Sequence, residues 1–112
     1  MPQRVLVFSS DTMGKGDDEL GARLVVKFIH QLTGVRDVPD AILFYNTGVR
    51  LLAAESAVVG SLEQLEHAGA ELLACGTCVD HFNLAGRLGA GRVTDMREIA
   101  SVLAGADRVV TI

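Results

Sequence analysis

Four short apolar runs recur along the chain, at 5–8, 41–45, 71–74 and 109–112, with a weaker fifth at Arg92 and Val93. Most are continuous rather than alternating: Val-Leu-Val-Phe in the first, Ala-Ile-Leu-Phe-Tyr in the second. Continuous apolar runs of this length predict strands covered on both faces, the situation of strands in a parallel sheet.

Between the runs the apolar period lengthens. Leu20, Leu24, Phe28 and Leu32 recur at a spacing of four and predict a helix from near Asp17, with these residues on one face and Gly34 as its stop. Asp17, Asp18 and Glu19 in its first turn suit the positive end of the helix dipole. A second helix is predicted over about 56–68, with Ser56 as cap, Val58, Leu62 and Leu65 inward, and Gly69 at its end. A short helix is predicted from about Cys78 to Leu88. A last one starts at Asp95 and buries Ile99, Val102 and Leu103, with Asp95 and Glu98 resembling a capping box. The glycine-rich stretch 88–91 reads as a loop. Strands alternating with helices imply an α/β domain, with helices on both faces of a parallel sheet.

The chain has 112 residues, enough for one core, and we read 1–112 as a single domain. Hydrophobic residues make up 49% and aromatic residues 4%, so the core must be aliphatic. A formal net charge of −4 with no local Lys/Arg cluster argues against nucleic acid or an anionic membrane as partner. No apolar run approaches the roughly 20 residues of a spanning helix, and the N-terminal residues lack the pattern of a signal peptide. Two cysteines three residues apart make no disulfide scaffold, so the expected setting is cytoplasmic with reduced thiols.

Open parallel sheets bind ligands beyond the carboxyl ends of their strands. The first three predicted strands end at Ser9-Ser10-Asp11, Asn46-Thr47-Gly48 and Cys75-Gly76-Thr77-Cys78, so all three segments are expected on one rim. The cysteine pair carries the sharpest signal. Cys75 closes a strand and Cys78 falls where a helix can begin. Amides at a helix start stabilise an anion and draw a thiol towards thiolate near neutral pH. Gly76 lets backbone approach without a side chain in the way. This favours a nucleophilic sulfur; the alternatives are a dithiol redox protein cycling Cys75 and Cys78, and a non-catalytic small-anion- or protein-binding module in which Cys75 is a small buried hydrophobe and Cys78 incidental. Zinc on Cys75, Cys78 and His81, beside Asp80, lacks the second ligand pair of a structural site. Haem attachment is excluded by Val79 after the second cysteine. No metal and no cofactor is expected.

The loop 9–16 has two glycines before a helix and is a candidate anion cradle, equally well a plain strand-to-helix turn. Gly16 follows Lys15 where a Walker loop has Ser or Thr. His30 and His67 near helix C-termini need no function. His81, three residues after Cys78, is the histidine of interest. Met13 and Met96 read as packing or interface residues, and Val49, Leu51 and Leu52 as exposed aliphatic positions available for an interface.

In these residues the chain resembles the DsrE-like family of small sulfur-relay proteins. It is most similar to the branch formed by the C-terminal domain of YedF, a sulfurtransferase-like protein linked to selenium metabolism. The segments that carry the resemblance are Ser9-Ser10-Asp11-Thr12-Met13-Gly14-Lys15-Gly16-Asp17-Asp18-Glu19-Leu20-Gly21, Asn46-Thr47-Gly48-Val49, Cys75-Gly76-Thr77-Cys78, and Asp95-Met96 with Ala106-Asp107-Arg108-Val109-Val110. The resemblance implies a three-layer α/β/α fold around a mostly parallel five-stranded sheet, and a homo-oligomer, trimer or hexamer. It implies a persulfide accepted on Cys75, with Cys78 as assisting or resolving thiol. Ser9, Ser10, Asp11, Asn46, Thr47, Gly76, Thr77 and His81 would shape the pocket. The partner would be a sulfur-carrier or persulfide-donor protein. YedF proteins usually begin with a carrier domain bearing its own cysteine, which these 112 residues do not include, so the expected donor or acceptor is another molecule or another part of a longer protein. Residues 80–84 stand where many relatives carry an Ala-Arg-Gly-like turn, so no cation is expected there.

Overall fold

The computed structural model describes residues 2–112; Met1 lies outside the described residues. Among them, β1 (Arg4–Phe8), β2 (Ala41–Phe44), β3 (Glu71–Cys75), β4 (Arg92–Thr94) and β5 (Arg108–Thr111) form one sheet in the order β4-β3-β2-β1-β5, with every neighbouring pair parallel. The connections hold α1 (Asp18–Leu32), a 3-10 segment (Asn46–Leu52), α2 (Val59–His67), α3 (Gly76–His81) and α4 (Met96–Gly105). The expected α/β architecture with a five-stranded sheet is present, and the weak candidate at Arg92 and Val93 is a strand.

From β1 to β4 the chain steps across the sheet in one direction, and from β4 to β5 it jumps back beside β1. Right-handed crossovers, the rule for parallel units, then place the last helix opposite the others. The core follows this division. Leu6, Phe8, Ile42, Phe44 and Leu72 pack with Val25 and Ile29 of α1 and Leu62 and Leu65 of α2. Val5, Val7, Ala41, Leu43, Leu73 and Cys75 pack with Ile99 and Val102 of α4. Both faces of β1, β2 and β3 are therefore covered, which is why their sequences are continuously apolar. β5 is an edge strand with both valines open, Val109 at 41% and Val110 at 48% exposure.

The helix starts follow local chemistry. Asp17 accepts from the Leu20 amide and Asp95 from the Glu98 amide, both at 2.9 Å. The box at α4 is half of one: the Glu98 carboxylate engages Arg92 and Thr94 instead of reaching back to Asp95.

Four expectations are corrected. In α1, Leu20 and Leu24 are 46% and 40% exposed, and the buried stripe is Gly21, Val25 and Ile29. The helix carries two adjacent apolar stripes, and the narrower one lies inward because the loop ahead of it closes onto Gly21. There the Met13 amide donates to the Gly21 carbonyl at 2.9 Å, and a side chain would press on Thr12. Val49, Leu51 and Leu52, expected on the surface, are buried. The 3-10 segment folds them into the core shared with α2 and β3, and Arg50 between them stays exposed. α3 ends at His81, seven residues short of the predicted Leu88, at the turn where Asn83 takes a φ of 56°. α2 starts at Val59, and the Ser56 hydroxyl accepts from the Val58 amide just ahead of it.

Candidate functional site

The three segments expected on one rim are linked there by hydrogen bonds. The Thr47 hydroxyl accepts from the Asp11 amide at 3.2 Å and meets the Ser10 hydroxyl at 3.4 Å. Ser9 donates to the Ile112 carbonyl at 3.2 Å. Gly48 lies against the carbonyl of Phe8, where any Cβ would collide. Asn46 has a φ of 53°, a left-handed turn that asparagine tolerates, and its Oδ1 accepts from the Thr47 amide at 2.8 Å. This turn aims the Asn46 amide at Cys78, to whose Sγ it donates at 3.1 Å.

The two cysteines occupy different environments, and both are free thiols. Cys75 caps α3 and is 2% exposed, in the core shared with α4. Cys78, the third residue of α3, is half-buried and belongs to the wall of two recesses. One, of about 270 Å³, is lined by Asn46, Thr77, Cys78, His81 and Phe82. The other, of about 380 Å³ and more apolar, is lined by Tyr45, Asn46, Cys78 and the α4 side chains Met96, Ile99, Ala100 and Leu103. The chain leaving β3 turns to one face of the sheet and the chain leaving β4 to the other. The gap between them is a topological switch point, where such sheets place their ligands. Gly76 keeps that gap narrow: a Cβ would stand 3.0 Å from the Thr94 carbonyl.

The helix-start expectation for the thiol meets an opposing force. Burial pushes the Cys78 thiol above its ordinary value, the neighbouring Cys75 pushes it further, and the Asn46 amide pulls it partway back. α3 has only six residues, and desolvation of the charged form wins.

The site residues named from the sequence therefore divide. Asn46, Thr77, Cys78 and His81 share one recess, with Cys75 and Gly76 behind it. Ser9 and Ser10 line a separate recess with Thr12, Gly14, Lys15, Gly16 and Asp18, of about 480 Å³. Asp11 and Thr47 join the two groups. An anion in this third recess would face the Asp18 carboxylate as well as Lys15. Among the described residues no three His, Cys, Asp or Glu side chains converge, so Cys75, Cys78 and His81 do not form a metal cluster.

Phe82 and Arg50 escaped the sequence reading. Phe82 lines the Cys78 recess, its ring edge-on to His81 with centroids 4.9 Å apart, and the Arg50 guanidinium lies over it at 4.3 Å from its centroid. A signal existed in Arg50 as the one charged residue within the apolar run 49–53, a position a folded-in segment would turn outward.

Comparison with solved structures fits this architecture. The ychN protein from E. coli, itself of DsrE-like fold, matches with a TM-score of 0.66 at 18% identity, over 98% of this chain and 99% of that one. The fold is DsrE-like. Two proteins described as of unknown function share this DsrE-like architecture. MTH1491 from Methanobacterium thermoautotrophicum matches with a TM-score of 0.62 at 20% identity, over 95% of this chain and 98% of that one. BT1422 from Bacteroides thetaiotaomicron matches with a TM-score of 0.62 at 12% identity, over 96% and 93%. No family model and no curated protein matches the sequence. Among the described residues no helix is long and apolar enough to cross a membrane.

Proposed function

We propose that this DsrE-like domain is a sulfur-relay protein, sulfurtransferase-like in its chemistry, that takes a sulfane sulfur as a cysteine persulfide and passes it to the thiol of a partner protein. The observation that carries the reading is the placement of Cys78: its sulfur sits between two open recesses at the switch point of the sheet and accepts an amide hydrogen bond. The sequence resemblance puts the acceptor on Cys75. The burial of Cys75 favours Cys78 as the accepting thiol and Cys75 as the resolving one. The Cys78 thiolate attacks the outer sulfur of a persulfide donor, the donor thiolate leaves with the bonding pair, and the terminal sulfur stays on Cys78. A partner thiolate then attacks that sulfur and Cys78 leaves as thiolate. The Asn46 amide supports the sulfur anion in both steps.

A second reading is favoured by the packing of Cys78 against the buried cluster that holds Cys75. Here Cys75 attacks the inner sulfur of the Cys78 persulfide, forming the internal disulfide and releasing hydrosulfide, and the pair then works as a dithiol redox couple. Selenium carried in place of sulfur, a cytoplasmic setting, and a persulfide-donor or sulfur-carrier protein as partner belong to the first reading. So does a homotrimer or hexamer; with Val49, Leu51 and Leu52 buried, it would use open apolar side chains such as Leu20, Leu24, Val109 and Val110.

Intact-mass spectrometry after exposure to a persulfide donor tests the relay. One added sulfur in the wild type and in Cys75→Ser, lost in Cys78→Ser, is the expected result. Loss with Cys75→Ser alone returns the acceptor to Cys75. No added sulfur in the wild type overturns the relay.

A further inference from the structure

We propose that Arg50, seated on Phe82, makes the rim of the Cys78 recess an anion subsite, so that the molecule presented to the thiol carries negative charge next to its reactive atom. For sulfur chemistry this names an anionic sulfane donor, of which thiosulfate is the simplest. That half rests on the relay reading; the subsite itself does not.

Phe82 follows Cys78 by one helical turn and lines the same recess, and the Arg50 guanidinium lies over its ring, 4.3 Å from the centroid, one side chain out from the recess lining. Stacking uses the flat face of the guanidinium and leaves its in-plane N–H donors available. The charged partner that the described residues offer those donors is Asp11, at 3.7 Å, beyond hydrogen-bond distance. Arg50 is exposed and Asp11 partly so, 51% and 32%, so this pair contributes little and an incoming anion can displace it. A planar fork of donors matches a sulfonate or carboxylate edge better than any point charge.

Arg50 is also held in place. Its neighbours Val49 and Leu51 are buried, and its 3-10 segment is the one whose first residue, Asn46, donates to Cys78. The amide that supports the sulfur and the cation at the rim therefore come from one rigid piece of backbone. The surrounding charge sharpens the point. The chain is acidic overall, at −4, and Asp80 lies exposed beside His81, so Arg50 is a cation set in acidic surroundings.

With thiosulfate, the Cys78 thiolate attacks the sulfane sulfur and the S–S bond breaks. Sulfite leaves with the bonding pair and a persulfide anion remains on Cys78. Charge is conserved at −3 on both sides by this stoichiometry, and no oxidant or reductant is consumed. Arg50 binds the sulfonate end and stays on the departing sulfite.

The test compares a charged with a neutral reagent at one sulfur: iodoacetate and iodoacetamide, with peptide mapping of Cys78 at fixed pH and low salt. Arg50→Met keeps the apolar stem, Arg50→Lys keeps the charge, and Asp11→Asn releases the guanidinium. The iodoacetate-to-iodoacetamide rate ratio is expected to fall about tenfold in Arg50→Met, the effect of one lost charge-assisted hydrogen bond. It should fall less in Arg50→Lys, rise in Asp11→Asn, and drop in the wild type as salt is added. An unchanged ratio in Arg50→Met overturns the subsite. For the donor, thiosulfate loading of Arg50→Met should show a raised KM with kcat nearly kept. If thiosulfate and persulfide donors alike fail to load a wild type whose ratio depends on Arg50, the relay falls and the subsite stands. If neutral donors load and thiosulfate does not, the donor class is overturned alone.

Discussion

The amide of Asn46 and the sulfur of Cys78 are 32 residues apart in sequence and 3.1 Å apart in space. Local sequence does not create this contact. It arises because β2 and β3 are neighbours in the sheet and both end at the same rim. The hydrogen bond pulls the thiol towards its anion, while burial and Cys75 push the other way and prevail.

The pH dependence of Cys78 reactivity follows. The thiolate is the nucleophile, so alkylation of Cys78 by iodoacetamide should climb through the alkaline range with a midpoint above the ordinary 9.0. Cys75→Ala removes one of the raising influences and should move the midpoint down. A midpoint near neutrality in the wild type would contradict this balance.

Asn46 should tolerate glycine and reject a branched residue. Its φ of 53° costs a β-branched side chain about 1–2 kcal/mol. Asn46→Val should lose about that much in denaturant unfolding, and Cys78 should become slower to alkylate at a given pH as the amide is displaced. Asn46→Gly keeps the turn and the amide, losing only the Oδ1 bond to Thr47, and should leave the Cys78 profile in place.

Gly48→Ala drives a methyl into the Phe8 carbonyl, which is backbone and cannot swing aside. The expected loss is on the order of 2 kcal/mol, in the range of overpacked cores. The midpoint of urea unfolding checks it. A wild-type midpoint would show that the 3-10 segment slides freely along the end of β1.

Asp40 sets a different pH window. Its carboxylate accepts from the Arg4 and Gln3 amides at 2.9 and 3.0 Å, and those bonds hold its pKa below the ordinary 3.8, helped by the Arg4 charge. A lowered native pKa gives stability that is complete above the unfolded value and is lost as pH falls through the native one. Asp40→Asn keeps an acceptor but not the titration. Its stability should therefore fall less steeply than that of the wild type below about pH 4 in acid denaturation.

The sequence made the sheet legible because strands buried on two faces must be apolar throughout, as 41–45 and 71–74 are. The rim followed from those strand ends, and with it Asn46, Thr77, Cys78 and His81. Period-four spacing could not choose between the Leu20–Leu24 stripe and the Val25–Ile29 stripe. That choice belongs to Gly21, which admits the loop at Thr12 and Met13. Nor could spacing tell that 49–52 would fold inward, since an apolar 3-10 segment has the composition of an interface. Turning that segment over hid the expected interface residues and delivered Arg50 to a ring 32 positions later, a contact that spacing along the chain does not predict.

The position of β5 also bears on how the molecule is made. β1 is an inner strand, and one of its two hydrogen-bonding edges is closed by β5, with Arg4 beside Arg108 and Val7 beside Thr111. During synthesis the first strand to emerge must therefore keep an open edge until the strand that seals it arrives about 100 residues later, at ribosomal speed a wait of roughly 5–20 s. A sheet of β1 to β4 without β5 would leave the β1 edge bare, the kind of edge that recruits other chains. Sealing that edge joins residues about 100 positions apart, the longest-range strand pairing in this sheet.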